Sequence, residues 1–435
     1  MISQPGAELA SSLASVASQM ASPSSASEKV FPKPVRASYG TAGLRPGFDY
    51  QYELLVARGG AFVKQSLGNP LLRPAHSGEW EVGANLAFGG NRYSLEYNFS
   101  RKNTWDQMVQ QNLPAVSGFQ TRWVNAGTLL TKTHELALGL QPIVRRDLSL
   151  TVLLTAGRMR SVITEWPLPD QRNFWGWYRT GQDLGRINGW RFAHTIDELY
   201  DDPAKKGQSG PGQYWSRDSV IVNELGHVVR RSAWRTPHEK PLIYATCANP
   251  ACTQRTSVVV LGRTDPDFTL ALTSTVTWKR LALTALTYWW QGGTILNADR
   301  AHAIRGERDG YMDQSDRPLE ERKPSTYFGD YGLVDEPLLE PATFLKIREL
   351  AVHYTFTRRQ LKAVGLGMLN ELRLGIAGRN LFTFSKFTGW DPEAGGGLTS
   401  DGGIRPRAED PFRVRMQNLN YPVPRTATAT VEIAF

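Results

Sequence analysis

Hydrophobic and polar residues alternate along ten separate stretches of this chain, a pattern that predicts β-strands with one apolar face. In the stretch 93-100, tyrosine, leucine and phenylalanine occupy every second position, with serine, glutamate and asparagine between them. The final stretch, 425-435, repeats the pattern with alanine, valine, isoleucine and phenylalanine against threonine and glutamate. The predicted strands are 34-40, 79-88, 91-101, 124-140, 147-157, 268-278, 280-290, 344-356, 370-381 and 425-435.

The connections between these strands alternate between long and short. The long ones are 41-78, 102-123, 158-267, 291-343 and 382-424, and the short ones are 89-90, 141-146, 279 and 357-369. Such a sheet places all long loops at one end, as in an outer-membrane barrel. A strand of about ten residues spans about 33 Å and, tilted by about 40°, covers the apolar band of about 25 Å.

The predicted fold is therefore all-β, an antiparallel up-and-down transmembrane β-barrel with long extracellular loops. The alternative is a large soluble β-sandwich or propeller, but strands there usually run about five or six residues with loops of about four to six. One strand departs from the pattern, because regular alternation puts Lys346 and Arg348 on the same face as Leu350 and Val352. That placement is acceptable only if both cations sit at the outer rim.

Composition agrees with a membrane barrel and excludes a helical membrane protein. Hydrophobic residues make up 41% of the chain, and its mean hydropathy is negative with no run of eighteen apolar residues. Aromatic residues include thirteen tryptophans, and Trp278, Trp289 and Trp290 lie at strand ends, where interfacial girdles form. Ordinary core packing is the alternative for these rings.

The net charge is +9, but the basic residues are scattered and form no stripe. With no zinc-ligand spacing and no RNA-binding aromatic motif, the charge does not indicate a nucleic-acid partner. We interpret it as affinity for the anionic headgroups of outer-membrane lipid, or as a contribution to solubility.

Two cysteines, Cys247 and Cys252, lie close together in the longest predicted loop. Four intervening residues allow the chain to double back at Pro250, so an oxidising exterior would close a local disulfide. A free pair of thiols is the alternative. A metal site is not expected, because two thiols need two further ligands and only His227 and His238 are near in sequence.

The chain divides into an Ala/Ser-rich low-complexity segment at 1-30, expected to be disordered, and a barrel portion at 31-435. The first segment lacks the basic start and continuous apolar centre of a signal peptide. Either Met1 is not the natural start or the chain is the C-terminal part of a longer protein.

Several motifs, in order along residues 31 to 435, resemble the SusC/RagA-like group of TonB-linked (TonB-dependent) outer-membrane transporters. The most specific are Phe344-Leu-Lys-Ile-Arg348 leading to Tyr354-Thr-Phe356, then Gly378-Arg-Asn-Leu-Phe382 and Gly389-Trp-Asp-Pro-Glu393. Further matches are Val35-Arg-Ala-Ser-Tyr-Gly40, Asn69-Pro-Leu71, Glu79-Trp-Glu-Val-Gly83, Asn125-Ala-Gly127, Pro266-Asp-Phe268 and Gln291-Gly-Gly293.

The resemblance implies that these are about ten C-terminal strands of a larger, 22-stranded barrel whose lumen carries a plug domain. It implies uptake of oligosaccharides or peptides with a SusD-like surface lipoprotein, energised through the TonB complex. The plug and TonB-contacting region are absent from this sequence. An open half-barrel leaves unpaired backbone groups in lipid, so the fragment interpretation is preferred. The terminal Phe435 resembles the signal by which the barrel-assembly machinery recognises its clients; the alternative is a chain that simply ends in a strand.

No catalytic constellation is present, so we expect no enzyme activity and no cofactor. Asp309, Asp313 and Asp316 lack the spacing of a calcium loop and are interpreted as a solvated turn. Substrate contacts are expected from loop aromatics, whose flat rings stack on sugars: Trp175, Trp177, Tyr178 and Trp190. Packing of the loop's own core is the alternative for these four rings.

The predicted function is TonB-energised nutrient uptake across the bacterial cell outer membrane. A passive porin or a surface-binding β-barrel is the second possibility, and it would lack an upstream plug and TonB box. A soluble carbohydrate-binding β-protein is the third, and it would dissolve without detergent.

Overall fold

The computed structural model describes residues 35–58, 60–172, 176–199, 215–247, 255–329, 331, 334–393, 396–398 and 414–435. Within these residues, ten strands form a single antiparallel sheet, and each corresponds to a predicted strand. In chain order they are β1 Arg36–Leu44, β2 Ala75–Phe88, β3 Tyr93–Trp105, β4 Thr128–Val144, β5 Leu148–Glu165, β6 Phe268–Trp278, β7 Leu281–Gln291, β8 Phe344–Phe356, β9 Glu371–Ser385 and β10 Thr426–Ala434.

Each strand of this sheet pairs with the strand before and after it in the list, so the topology is up-and-down. The long connections are 45–74, 106–127, 166–267, 292–343 and 386–425, and all lie at one end of the sheet. The opposite end has the connections 89–92, 145–147, 279–280 and 357–370, the last of which contains a short helix, Arg358–Ala363. The predicted alternation of loops and turns is confirmed.

The sheet exposes its apolar face. In β2, Trp80 is 60% exposed and Val82 is 44% exposed, whereas Glu79 and Glu81, which alternate with them, are less accessible. A water-soluble sheet shows the reverse arrangement. We call the face that carries Trp80, Leu272 and Val352 the outer face, and the face that carries Arg36, Thr273 and Lys346 the inner face. An apolar outer face and a polar inner face are typical of a membrane barrel.

Aromatic side chains mark both margins of the outer face. At the turn end, Phe88 stacks on Tyr93 with ring centroids 5.3 Å apart, and Trp278 is 55% exposed. At the loop end, Tyr39 and Trp80 contact each other at 4.8 Å, and Trp289 contacts Phe268 at 5.2 Å. These rings fit the expected girdles.

The predicted girdle position of Trp290, however, is wrong. It lies opposite Phe344 on the inner face, and its ring stacks near Phe344 at a centroid distance of 6.2 Å. It packs against a small core formed by Ile295, Ala342 and Phe387. The alternative, ordinary packing, applies to this tryptophan.

A β-bulge in β8 corrects the expected position of its two cations. On the β7 side, Leu286 pairs with Glu349 and the next residue, Thr287, pairs with Ile347, which leaves Arg348 as the extra residue. Because a bulge shifts the alternation by one residue, Lys346 faces inward beside Tyr288 whereas Leu350 and Val352 face outward. Lys346 and Arg348 therefore do not share a face with the apolar residues that follow them.

The long connections carry smaller elements at the loop end. One four-stranded sheet contains Leu54–Arg58, Ala61–Leu67, Thr121–Asn125 and Met108–Asn112, and another contains Leu339–Pro341, Thr294–Asn297, Val414–Gln417 and Gly396–Leu398. Two-stranded pairs are Gln171–Arg172 with Trp177–Tyr178, Arg186–Gly189 with Val259–Arg263, Val220–Val222 with Val228–Arg230, and Thr246–Cys247 with Arg255–Thr256. Two short α-helices, Ala298–Arg305 and Ser325–Gly329, also lie at this end. No helix in the described ranges is long and apolar enough to cross a membrane.

Candidate functional site

The two longest connections pack together over the loop end of the sheet. Phe192 and Val229 from the connection 166–267 share one buried cluster with Leu296 and Tyr327 from the connection 292–343. Each of these side chains is at most 4% exposed. The two loops therefore form one lobe with its own core, which we call the loop lobe.

A buried polar network lies at the centre of the loop lobe. His227 Nδ1 is 3.1 Å from Tyr327 Oη and 3.3 Å from Tyr331 Oη, and Asn223 donates to Tyr327 Oη at 2.8 Å. Burial, together with the charge of nearby His194, lowers the pKa of His227 to about 4. The imidazole is therefore neutral at pH 7 and acts as a structural hydrogen-bonding group.

Lys323 forms a second buried link between the same two connections. Its Nζ is 2.6 Å from Glu224 Oε2 and 2.8 Å from Glu239 Oε1, and both Lys323 and Glu239 side chains are almost fully buried. Burial alone would raise the pKa of Glu224, but hydrogen bonds from Lys323 and Arg235 outweigh it and lower the pKa to about 2. These ion pairs fix the relative position of the loops.

The inner face of the sheet is polar toward the turn end of its first three strands. Arg36 on β1 reaches across its neighbour β2, where it donates to Asn85 Oδ1 at 2.8 Å, and continues to Glu96 on β3 at 2.6 Å. A Cβ at Gly83 would lie 2.9 Å from Arg36 Nε. The absence of a side chain at Gly83 therefore lets the guanidinium cross the strand.

A charged cluster sits where β8 meets the connection after β9. Lys346 Nζ is 2.8 Å from both Asp391 Oδ1 and Glu393 Oε2, and Lys346 is 1% exposed. Arg348 also pairs with Glu393 and places its guanidinium 4.7 Å from the centre of the Tyr288 ring. Burial would raise the pKa of Glu393, but hydrogen bonds with Arg348 and Lys346 outweigh that effect and lower it.

Sequence reasoning did not identify this cluster as a unit. The signal was present, because Lys346 and Arg348 lie two residues apart in one quoted motif while Asp391 and Glu393 have the same spacing in another. The two cations match the two acids in number, yet only the bulge in β8 shows that the cations point inward toward the acids.

Three of the four predicted substrate-binding aromatics lie among the described residues, and their surroundings differ. Trp177 and Tyr178 form a short strand paired with Gln171–Arg172, and Tyr178 is buried and stacked on Trp166 at 5.0 Å. Trp190 is 36% exposed, and its backbone N–H donates to Asp335 Oδ2 at 2.8 Å. Trp175 lies outside the described residues. A substrate role for these rings stays a prediction, and Tyr178 has the packing expected of the alternative.

The remaining predicted residues have varied surroundings. Cys247 ends a strand that pairs with Arg255–Thr256, whereas Cys252 lies outside the described residues, so the disulfide stays a prediction. Asp309 accepts a hydrogen bond from the Tyr311 backbone at 2.8 Å and pairs with Arg300, as in a structured turn. Phe435 follows β10 and is 81% exposed.

The described residues combine a polar inner face with a lobe built from two loops. In the described part of the chain, no group of three His, Cys, Asp or Glu side chains is placed to hold a metal ion. The loop end carries the loop lobe and the charged cluster of Lys346, and the inner face is polar toward the turn end. A polar inner face is typical of membrane barrels.

Comparison with known proteins gives relatives of one kind. The chain is 22% identical to TonB-dependent receptor P3 of Formosa agariphila over 400 residues, covering 82% of this chain and 35% of the receptor. It is also 22% identical to TonB-dependent receptor P26 of the same organism, covering 92% of this chain and 40% of the receptor. No protein-family model matches the chain.

Solved structures agree with the sequence relatives. The RagAB peptide importer in its closed-closed state superposes with a TM-score of 0.63 and 20% identity, covering 94% of this chain and 42% of that chain. A structure of the RagAB peptide transporter gives a TM-score of 0.62 with 92% of this chain covered. The chain thus spans less than half the length of these relatives. The resemblance to SusC/RagA-like TonB-dependent receptors is confirmed, and the chain shares the all-β barrel fold of these solved structures.

Proposed function

We propose that this chain forms part of the barrel of a TonB-energised outer-membrane receptor that imports oligosaccharides or peptides. The observation that carries the proposal is that the sheet exposes its apolar face and not its polar face. Trp80 and its neighbours on the outer face are exposed, whereas the polar network of Arg36 lies on the inner face. Lipid on one side and a polar passage on the other account for both faces.

Peptide import is the favoured substrate class, because the RagAB structures that share this fold are described as a peptide importer. The polar groups of the inner face fit this class. Arg36 with Asn85, Glu96 and Asn98 forms a hydrogen-bonding group on the inner face, of the kind that a polar peptide backbone can bind. Oligosaccharide import remains the second substrate class, with exposed Trp190 as a stacking surface.

A SusD-like surface lipoprotein is the proposed partner at the loop end. The loop lobe supports this assignment because its two connections are locked together by a shared core and by Lys323. A rigid lobe gives a partner a defined surface to dock on. The TonB complex and the barrel-assembly machinery are the other proposed partners, at the periplasmic side.

The test is uptake of a fluorescent peptide and of a fluorescent oligosaccharide by cells with and without the gene. We expect one of the two to accumulate only when the gene is present, and we expect accumulation to stop when TonB is deleted. Uptake that persists without TonB would favour a passive porin. Surface binding with no uptake in either strain would favour a binding barrel.

A further inference from the structure

Three cations stand side by side on the outer face of three neighbouring strands. Arg101 on β3 lies opposite Lys132 on β4, and Lys132 lies opposite Arg160 on β5. Arg101 also lies opposite the exposed Trp80, which places the row on the outer face. Arg158, two residues from Arg160, faces the same way. Like charges directly opposite one another destabilise a sheet unless something compensates them.

Compensation from the protein reaches only one member of this group. Arg160 donates to the Pro266 carbonyl at 2.5 Å and pairs with Asp267 at 3.3 Å. Arg101, Lys132 and Arg158 have no hydrogen-bond or ion-pair partner among the described residues. Arg101, Lys132 and Arg158 are also exposed, so their unpaired charges are available to an external anion.

The position of these cations separates two kinds of surface. On the turn side the same face continues with Phe99 and then with Tyr97 and Leu136, which belong to the apolar band. On the loop side a cavity of about 540 Å³ is lined by Arg73, His76, Trp105, Asp106 and Glu165, among others. Trp105 lies four residues beyond Arg101 on the same face, a distance of about 13 Å along the strand.

Hydrocarbon, positive charge and a polar aromatic cavity therefore follow one another along the outer face. We propose that this column binds a phosphorylated glycolipid of the outer leaflet. Its acyl chains lie along the apolar band, a phosphate sits among Arg101, Lys132 and Arg158, and its sugars extend toward Trp105. A small phospholipid headgroup would leave the cavity unfilled, whereas a sugar can stack on the indole and hydrogen-bond to Asp106 and Glu165.

The proposal rests on the membrane placement in the proposed function, but not on transport or its substrate. The experiment is native mass spectrometry of the detergent-solubilised protein titrated with lipid A, with dephosphorylated lipid A and with inorganic phosphate. The test variant is Arg101→Gln/Lys132→Gln/Arg158→Gln. The matched control is Arg145→Gln/Arg146→Gln/Arg280→Gln, which removes three charges at the turn end.

We expect the test variant to bind lipid A at least tenfold more weakly than the wild type, and the control to bind it normally. Dephosphorylated lipid A should bind the wild type as weakly as lipid A binds the test variant. Equal lipid A binding by wild type and test variant, or an equal loss in the control, would overturn the site. Displacement of lipid A by millimolar inorganic phosphate would show a small-anion site instead. If cells that carry the gene place the protein outside their outer-membrane fraction, the membrane placement itself is wrong.

Discussion

Lys346 Nζ donates to Asp391 Oδ2 at 2.8 Å, and this bond fastens the connection after β9 to the inner face of β8. The same amine donates to Glu393, so one buried cation holds two carboxylates. Removing one partner of a buried pair leaves an uncompensated charge, which usually costs about 3 to 5 kcal/mol. Lys346, together with Arg348, therefore holds the connection that begins after Ser385 against the sheet.

Replacing Lys346 by Met should release that connection. We expect faster proteolysis within 386–425 and a loss of about 3 kcal/mol in stability, because Asp391 would keep its burial without its partner. Limited proteolysis in detergent micelles, followed by mass spectrometry, measures the release. Lys362→Met, in the exposed helix at the turn end, is the control. Equal protection in both variants would mean that the ion pair does not hold the loop.

The two faces of β6 predict opposite results for one substitution. Leu272 lies beside Leu154 and Thr287 on the outer face, and Thr273 lies beside Leu153 and Leu286 on the inner face. Leu272→Arg should cost about 2 to 4 kcal/mol, as a charge near the bilayer midplane does, whereas Thr273→Arg should be tolerated. Urea unfolding from lipid vesicles gives both values. Equal damage from the two variants would contradict the assigned faces.

The loop lobe should lose stability as the pH falls from 6.5 toward 4. In the folded lobe the pKa of His227 is about 4, below its ordinary value of 6.5, so between these values the unfolded state binds more protons. His227 alone can contribute up to about 3 kcal/mol of such loss, with its stabilisation complete above pH 6.5. Burial tends to lower the pKa of His194, but its hydrogen bonds to Glu336 and Gly226 raise it, so His194 opposes the loss in part.

The measurement is the urea midpoint of the loop lobe at pH 7 and pH 5, followed by tryptophan fluorescence. His227→Gln keeps a hydrogen-bonding side chain and removes the titration, so its midpoint should change less with pH than that of the wild type. His238→Gln, an exposed position in the same connection, should behave like the wild type. An unchanged pH dependence in His227→Gln would assign the effect to another group.

Phe435 should matter for assembly more than for the folded barrel. Its ring is exposed and follows the final strand, so Phe435→Ser removes little packing. We expect a several-fold lower yield in the outer membrane, with an unchanged unfolding midpoint for the molecules that do assemble. Quantitative immunoblotting of membrane fractions measures the yield, and Phe384→Ser on the outer face serves as the comparison. Normal yield of Phe435→Ser would leave the residue as an ordinary strand end.

The ten strands could be predicted because membrane strands carry their signal in alternate positions. The alternation of Trp80 and Val82 with Glu79 and Glu81 indicates which face of β2 is apolar, without reference to any residue outside this strand. The loop lobe could not be predicted in this way, since the contact of His227 with Tyr327 joins positions one hundred residues apart in irregular segments. The loop aromatics show the same limit, because nothing local distinguishes the buried Tyr178 from the exposed Trp190.

The extra residue in β8 acts as a change of phase within one strand. Before it, odd-numbered positions meet lipid; after it, even-numbered positions do. Deleting Arg348 would restore a regular ladder with β7, and yet it would leave Asn380 and Leu381 of β9 with no residue opposite them and force either Lys346 or Val352 onto the wrong side. The transporter fold thus depends here on an irregularity, and a perfectly regular strand would be the defective one.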